Sequence, residues 1–287
     1  MSIFIKLQRG LFFSLAAGLF SLLLFEPSIP LNWQVYSLVI LVILTGLPHG
    51  ALDPLVAKKA RIWTTPVGLF VFIFNYLALG ALTLVLWLTF PGLALLLFLL
   101  YSGYHFSGDW RHQLHPLLRI GSGMFIVTAS ALFQQEQTYH YFALLASKEA
   151  TEIVLPTLQV LAFPSTLCLA VAAFSVRLNH LLCLELLALL AAGILLPPLM
   201  FFMLYFCASH SPKHLIHVSI GYPLGVLVKT ALTFTVAAVF LGVLTLFITG
   251  TVPIADGLLQ VLFIGLAVLT VPHMLLVEWA DGLAGNN

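Results

Sequence analysis

Long stretches without charge recur from one end of the chain to the other, and this restricts the fold more than any other feature. Apolar runs at 10–25, 34–50, 67–89, 92–107, 117–134 and 153–175 are followed by one from about 181 to 209, then by 226–249 and 258–278. An apolar stretch of ~20 residues crosses a bilayer as a helix, because each helix satisfies its own backbone polar groups where water is absent. Of 287 residues 61% are hydrophobic and 7% charged, against roughly 25% charged in soluble domains. The sequence therefore predicts an all-α, polytopic transmembrane bundle. Its near-neutral charge and lack of a basic run exclude nucleic acid as a partner. The longest polar connection, 135–152, is too short to hold a core, so residues 1–287 read as a single transmembrane domain. Lys6 and Arg9 precede the first apolar run, which reads as a span and not as a cleaved leader. Cys168, Cys183 and Cys207 lie in apolar runs without CxxC spacing and imply no disulfide framework.

The run from 181 to 209 decides the topology. It contains Pro197-Pro198, and a proline pair opposes helix continuation. Folded there, it gives spans at 181–196 and 199–217 and a total of about ten, within a range of eight to ten. With the N-terminus inside, ten spans place Lys6, Arg9, Lys58, Lys59, Arg61, Arg111, Arg119, Arg177, Lys213 and Lys229 on the cytoplasmic side. Only Lys148 then faces outward, which is the asymmetry of the positive-inside rule. Nine spans would move Lys213 and Lys229 out. The expected setting is the plasma or inner membrane, with a cytoplasmic N-terminus. Trp33, Trp63 and Trp110 sit at span edges and read as interfacial anchors.

Ionisable side chains within membrane spans are costly and point to function. There are ten histidines. His49 ends the second span in "GLPHGALD", His105 the fourth in "YSGYHFSGDW". His210 and His214 lie in "HSPKH" near the end of the eighth, and His273 in "LTVPHMLLVEW" near the end of the tenth. In the ten-span topology all five fall at the cytoplasmic ends of even-numbered helices. His112, His115, His140, His180 and His217 read as loop or interface residues. One histidine at a helix end is most often a packing residue; five at one depth on four helices are a candidate metal site.

Residues four apart share a helix face, so His210 and His214 can aim ring nitrogens at one ion. Imidazole suits Zn, Cu, Fe and Ni. Asp53, Asp109, Glu278 and Asp281 are placed to accept the remaining ring N–H groups, as carboxylates do around ligating histidines, with Asp53, a helix turn after His49, the expected support of that residue. There is no HExxH for a helix-borne protease base and no CxxCH for haem c. A b-type haem between two histidines and a zinc-dependent lipid hydrolase remain compatible with the residue types. Mononuclear non-haem Fe(II) suits four neutral imidazoles best, since a six-coordinate ion keeps two positions for O2 or substrate.

"GLPHGALD", "YHFSGDW", "HSPKH" and "VPHMLLVEW", in that order, resemble the Brp/Blh family of bacterial and archaeal β-carotene 15,15′-dioxygenases, over nearly the whole chain and including "LLPPLMFFMLYFCASHSPKH". The resemblance implies O2-dependent cleavage of β-carotene at its central double bond into two all-trans-retinal, with Fe(II) as cofactor. Carried over by motif, the ligands are His49, His105, His210 and His214, with His273 a fifth ligand or a pocket residue. A microbial rhodopsin is the implied consumer of the product, and the lipid bilayer the source of the substrate. Tyr104, Phe106, Phe201, Phe202, Tyr205 and Phe206 neighbour the motifs and are the expected lining of a substrate tunnel. A non-catalytic carotenoid or retinal carrier that assists rhodopsin assembly is the alternative from another class. It would tolerate loss of a ligand histidine, and here the four are intact.

Overall fold

The computed structural model describes residues 2–26, 28–175, 179–250 and 253–285. Arg177, counted above on the cytoplasmic side, lies outside them, as does the side chain of Asp281. Among the described residues the chain is helical throughout and no strand is present. In order come α1 (Ser2–Phe25), α2 (Leu31–Leu41), a π-helical turn (Val42–Gly46), α3 (Leu47–Ala51), α4 (Asp53–Lys59), α5 (Pro66–Thr89) and α6 (Pro91–Ser107). A 3-10 turn (Gly108–Trp110) leads to α7 (Pro116–Phe133), α8 (Gln135–Leu145), α9 (Lys148–Ala173) and α10 (His180–Leu195). Then follow α11 (Pro198–Tyr205), a second π turn (Phe206–His210), α12 (Ser211–Ser219), α13 (Leu224–Thr249) and α14 (Ile254–Gly285).

Local chemistry sets these boundaries. Thr65 caps α5 by accepting from the Gly68 N–H at 3.1 Å, and Ser147 caps α9 by accepting from Ala150 at 3.1 Å. Proline opens α5, α6, α7 and α11, where its missing N–H is an orphan anyway. At Pro197-Pro198 the chain folds back as expected: α10 stops at Leu195 and α11 starts at Pro198. Among the described residues seven helices are long and apolar enough to cross a membrane, with Leu31–Lys59 counted as one. The other three expected spans correspond to α6, α10 and the α11–α12 segment, which are shorter or carry the polar HSPKH stretch.

The connection at 135–152 differs from its reading as a polar link. Residues 135–145 form α8, with Thr138, Tyr141, Phe142 and Leu145 buried. Those positions repeat at helical spacing, so a segment too short to span lies with one face against the bundle. Trp110 also departs from expectation: it is fully buried, not interfacial.

In lipid, helices are held by close packing and hydrogen bonds, not by a hydrophobic drive between them. The most extensive packing joins α7 to α9 and α6 to α7. Small residues allow it. A Cβ added at Gly123 on α7 would lie 2.3 Å from the Gly103 carbonyl oxygen and 2.6 Å from the Ser107 nitrogen of α6. The crossing therefore fixes the end of α6 that carries His105. By contrast α5 and α13 are almost wholly on the surface. Gly123→Leu is expected to lower the thermal midpoint of the detergent-solubilised protein, at a cost of about 1–3 kcal/mol or more from overpacking. Gly18→Ala, where nothing lies within 4 Å, should leave it unchanged or raised, as read by thermal scanning.

Candidate metal centre

Two of the helices that bring histidines to the centre are deformed in the same way. A π turn precedes His49 and another ends at His210, and in each the next residue's N–H reaches five residues back: Leu47 to the Val42 carbonyl, Ser211 to that of Phe206. Pro48 and Pro212 follow immediately. A proline inside a helix removes one i→i−4 bond and crowds the carbonyl four residues back, and a widened turn relieves that crowding. Single π turns are frequent at functional sites. Pro272 lies inside α14 one residue before His273. His105 needs no proline; the glycine crossing described above sets its helix.

The five histidines converge. His49, His210, His105 and His273 form a closed circuit, with ring centres 5.5 Å (49–210), 5.2 Å (210–105), 5.5 Å (105–273) and 4.9 Å (273–49) apart. His214 adjoins His49 at 5.3 Å and His273 at 5.1 Å. All six pairs meet edge to face. His273, set apart in the sequence reading, is thus a full member of the cluster. His112, His115, His140, His180 and His217 are exposed and take no part.

Hydrogen bonds assign the tautomers. His49 Nδ1–H donates to the Gly46 carbonyl at 2.6 Å, His210 Nδ1–H to Asp109 Oδ1 at 3.0 Å, and His273 Nδ1–H to Asp53 Oδ1 at 2.7 Å. A neutral imidazole that donates from Nδ1 keeps a bare lone pair on Nε2. The Nε2 atoms of His49, His214 and His273 and both nitrogens of His105 are buried without a partner in the protein. One such group costs about 1–3 kcal/mol. That many in one apolar interior call for a shared electron-pair acceptor, and a metal ion is the group that fits.

Distances agree with that reading. Two imidazoles bound to one ion at ~2.1 Å have ring centres ~4.6 Å apart at a right angle and ~5.3 Å apart at the tetrahedral angle. Rings in direct contact leave space for an ion, not for the plane of a porphyrin. Asp53, His214 and His273 also offer ligand atoms within 4.8 Å of one another. Asp53, however, is engaged: Oδ1 accepts from His273, and the Tyr76 hydroxyl lies 2.8 Å from Oδ2 and 3.0 Å from the Leu269 carbonyl. Its geometry is that of a support for His273.

This corrects the sequence reading of Asp53 as the support of His49, whose Nδ1 goes to its own backbone instead. Asp109 does hold His210, and its Oδ2 accepts from the Tyr205 hydroxyl at 2.9 Å. Glu278 meets no histidine; it pairs with Arg111 at 3.4 Å. Of the expected tunnel residues, Phe106, Phe201, Phe202 and Phe206 line an apolar cavity beside the cluster. Tyr205 instead orients Asp109, and Tyr104 is 41% exposed and stacked on Tyr101. Sequence reading missed Tyr76 and Glu185. Glu185 is buried on α10, accepts from Ser209 at 3.2 Å and pairs closely with Lys213, and so braces the HSPKH segment from behind. An acid within "LLCLELLALL" was the available signal.

The class follows from this geometry: a polytopic membrane protein with a buried polyhistidine centre beside apolar cavities. The family model described as beta-carotene 15,15′-dioxygenase matches residues 40–281, and the chain belongs to that family of carotene-cleaving oxygenases. It is 27% identical over 267 residues, covering 87% of this chain and 94% of the relative, to a beta-carotene 15,15′-dioxygenase of an uncultured marine bacterium, 66A03. No solved structure matches.

Carboxylates that orient ligating histidines are commonly worth 10–100-fold in metal affinity. Asp53→Asn and Asp109→Asn are each expected to weaken metal binding by about that factor, measured by competition with a chelator. Glu278→Gln should leave it unchanged; equal losses in all three would contradict the assigned contacts.

Proposed function

We propose that this chain cleaves β-carotene at its 15,15′ double bond with O2, giving two all-trans-retinal, at an Fe(II) centre held by His49, His105, His210 and His214 with His273 as a further donor. The observation that carries the reading is the group of buried, unpartnered imidazole nitrogens in a member of this family. The stoichiometry balances: the C=C bond is replaced by two C=O bonds, with one oxygen atom of O2 in each aldehyde. Bound Fe(II) supplies the O2-activating redox chemistry that imidazoles and carboxylates lack.

The chain's own residues do the rest. Asp53 and Asp109 accept hydrogen bonds from the Nδ1–H of His273 and His210 and so turn each Nε2 inward, and the Gly46 carbonyl does the same for His49. Tyr76 and Tyr205 fix the two carboxylates. Phenylalanine walls exclude water and hold an apolar polyene against the centre, a positioning task of the kind that lowers barriers. The membrane setting suits a substrate dissolved in lipid. We place the enzyme in the plasma or inner membrane with its N-terminus in the cytoplasm, and a microbial rhodopsin as consumer of the retinal.

Expression in Escherichia coli that accumulates β-carotene tests this directly. Wild type should yield retinal by chromatography, and His210→Ala/His214→Ala and His273→Ala should yield none, with lower bound iron at equal membrane levels. Absence of retinal from well-expressed, iron-loaded wild type would falsify the cleavage reading.

A further inference from the structure

Two apolar cavities flank the histidine cluster, and their walls differ in one respect. The inner one lies among α6, α7, α8, α11 and α14, and none of its lining residues is exposed. It begins at Phe106 and Phe206, whose rings stand 4.9 and 6.0 Å from that of His210. At its far end stand Trp87, Leu95 and Leu145, where the Trp87 indole donates to the Leu145 carbonyl at 2.9 Å and closes the wall. The outer cavity is bounded by α3, α5, α13 and α14 and includes His49, Asp53, Tyr76 and His273. Three of its lining residues are on the molecular surface: Leu77 is 61% exposed, Leu241 is 59% exposed, and Ala237, one turn before Leu241 on α13, is exposed as well. α5 and α13 both border this cavity.

The cavities share Phe206, Leu266 and Thr270, so they adjoin. They are also offset along the helices. On α5 the outer cavity touches Phe72 to Leu77 and the inner one Trp87; on α14 the outer touches Leu266 to His273 and the inner Phe263 to Thr270. They therefore succeed one another along the bundle, with the histidines beside the junction. From Phe106 to Leu95 the inner chamber follows α6 for about 16 Å, at a rise of about 1.5 Å per residue. A C40 polyene is about as long as the ~30 Å bilayer core, so half of it is about 15 Å.

We propose that the two cavities form one passage, open to lipid between α5 and α13 at Leu77 and Leu241 and blind at Trp87 and Leu145, into which a long polyene threads end-first from the bilayer. The blind chamber accepts one half of the molecule and so sets which bond stands at the histidines. Both exposed rims are apolar and lie on helices that face lipid, so the substrate enters without crossing water. The choice of a C40 polyene rests on the cleavage reading above; the passage itself rests on the cavities.

The test uses the full chain in lipid nanodiscs with a C40 polyene hydrocarbon that bears a photoactivatable diazirine on one end group. After photolysis, mass spectrometry should find label within 95–106 and 198–206. Leu77→Trp/Leu241→Trp should cut that labelling, and β-carotene turnover with it, at least tenfold at unchanged iron content. Phe240→Trp, also on α13 and 65% exposed but outside the lining, should change neither. Leu99→Trp, which fills the inner chamber from within, should reduce inner labelling while the portal stays open. Undiminished inner labelling in the portal variant, or label confined to lipid-facing positions, overturns the passage. Label in the expected places with no retinal from any form upholds the passage and removes the carotene reading. Normal retinal formation by the portal variant does the reverse.

Discussion

Five imidazole rings packed edge to face inside an apolar bundle are the arrangement on which the rest of this structure depends. Unpaired nitrogens are costly there, and five rings can share so small a volume only if their donor sites are turned outward and their lone pairs inward. The protein achieves the outward half with a backbone carbonyl for His49 and with carboxylates for His210 and His273. Each carboxylate is held by a tyrosine, Asp53 by Tyr76 of α5 and Asp109 by Tyr205 of α11. The centre therefore ties together α3, α5, α6, the α11–α12 segment and α14, segments far apart in the chain. The inward nitrogens of His49, His105, His214 and His273 have no partner in the protein, and a metal ion there would complete the accounting.

The helices bend to this requirement. Straight helices ending near one membrane surface would not bring their last turns into contact. A π turn precedes His49 and another ends at His210, each followed within two residues by a proline. Glycine on α7 lets α6 approach until backbone meets backbone, and Glu185 with Lys213 braces the HSPKH turn from the opposite side. α5 and α13 lie largely on the surface of the bundle, α5 packed against α14 and α13 against α3.

The class, the helical architecture and the break at Pro197-Pro198 were legible in the sequence. Hydrocarbon enforces helices wherever charge is absent over ~20 residues, and proline stops them by local geometry. The five histidines that cluster were legible as a group for a related reason: polar groups in or beside apolar spans are rare enough to stand out. Asp109 was readable beside "YHF", since it lies one turn from His105 on the same stretch. α8 was less so, because its apolar stripe is half of a short polar segment and only the bundle it rests on reveals which half is buried.

What the tertiary structure alone decided is which partner each of these groups meets. Asp53 sits four residues from His49, and sequence distance suggested that pair, yet the chain crosses the bundle and sets it against His273, 220 residues away. Tyr76, Tyr205 and Glu185 gained their roles the same way, through contacts between helices that no local pattern encodes. Glu278 and Trp110 lost the roles proximity suggested for the same reason. The sequence by itself determined that the chain crosses a membrane as helices and carries histidines at one depth, because burial cost and helix geometry act within a single segment. The tertiary packing determined the ring circuit, the hydrogen-bonded supports and the lateral opening, because these depend on the rotation and spacing of one helix against another.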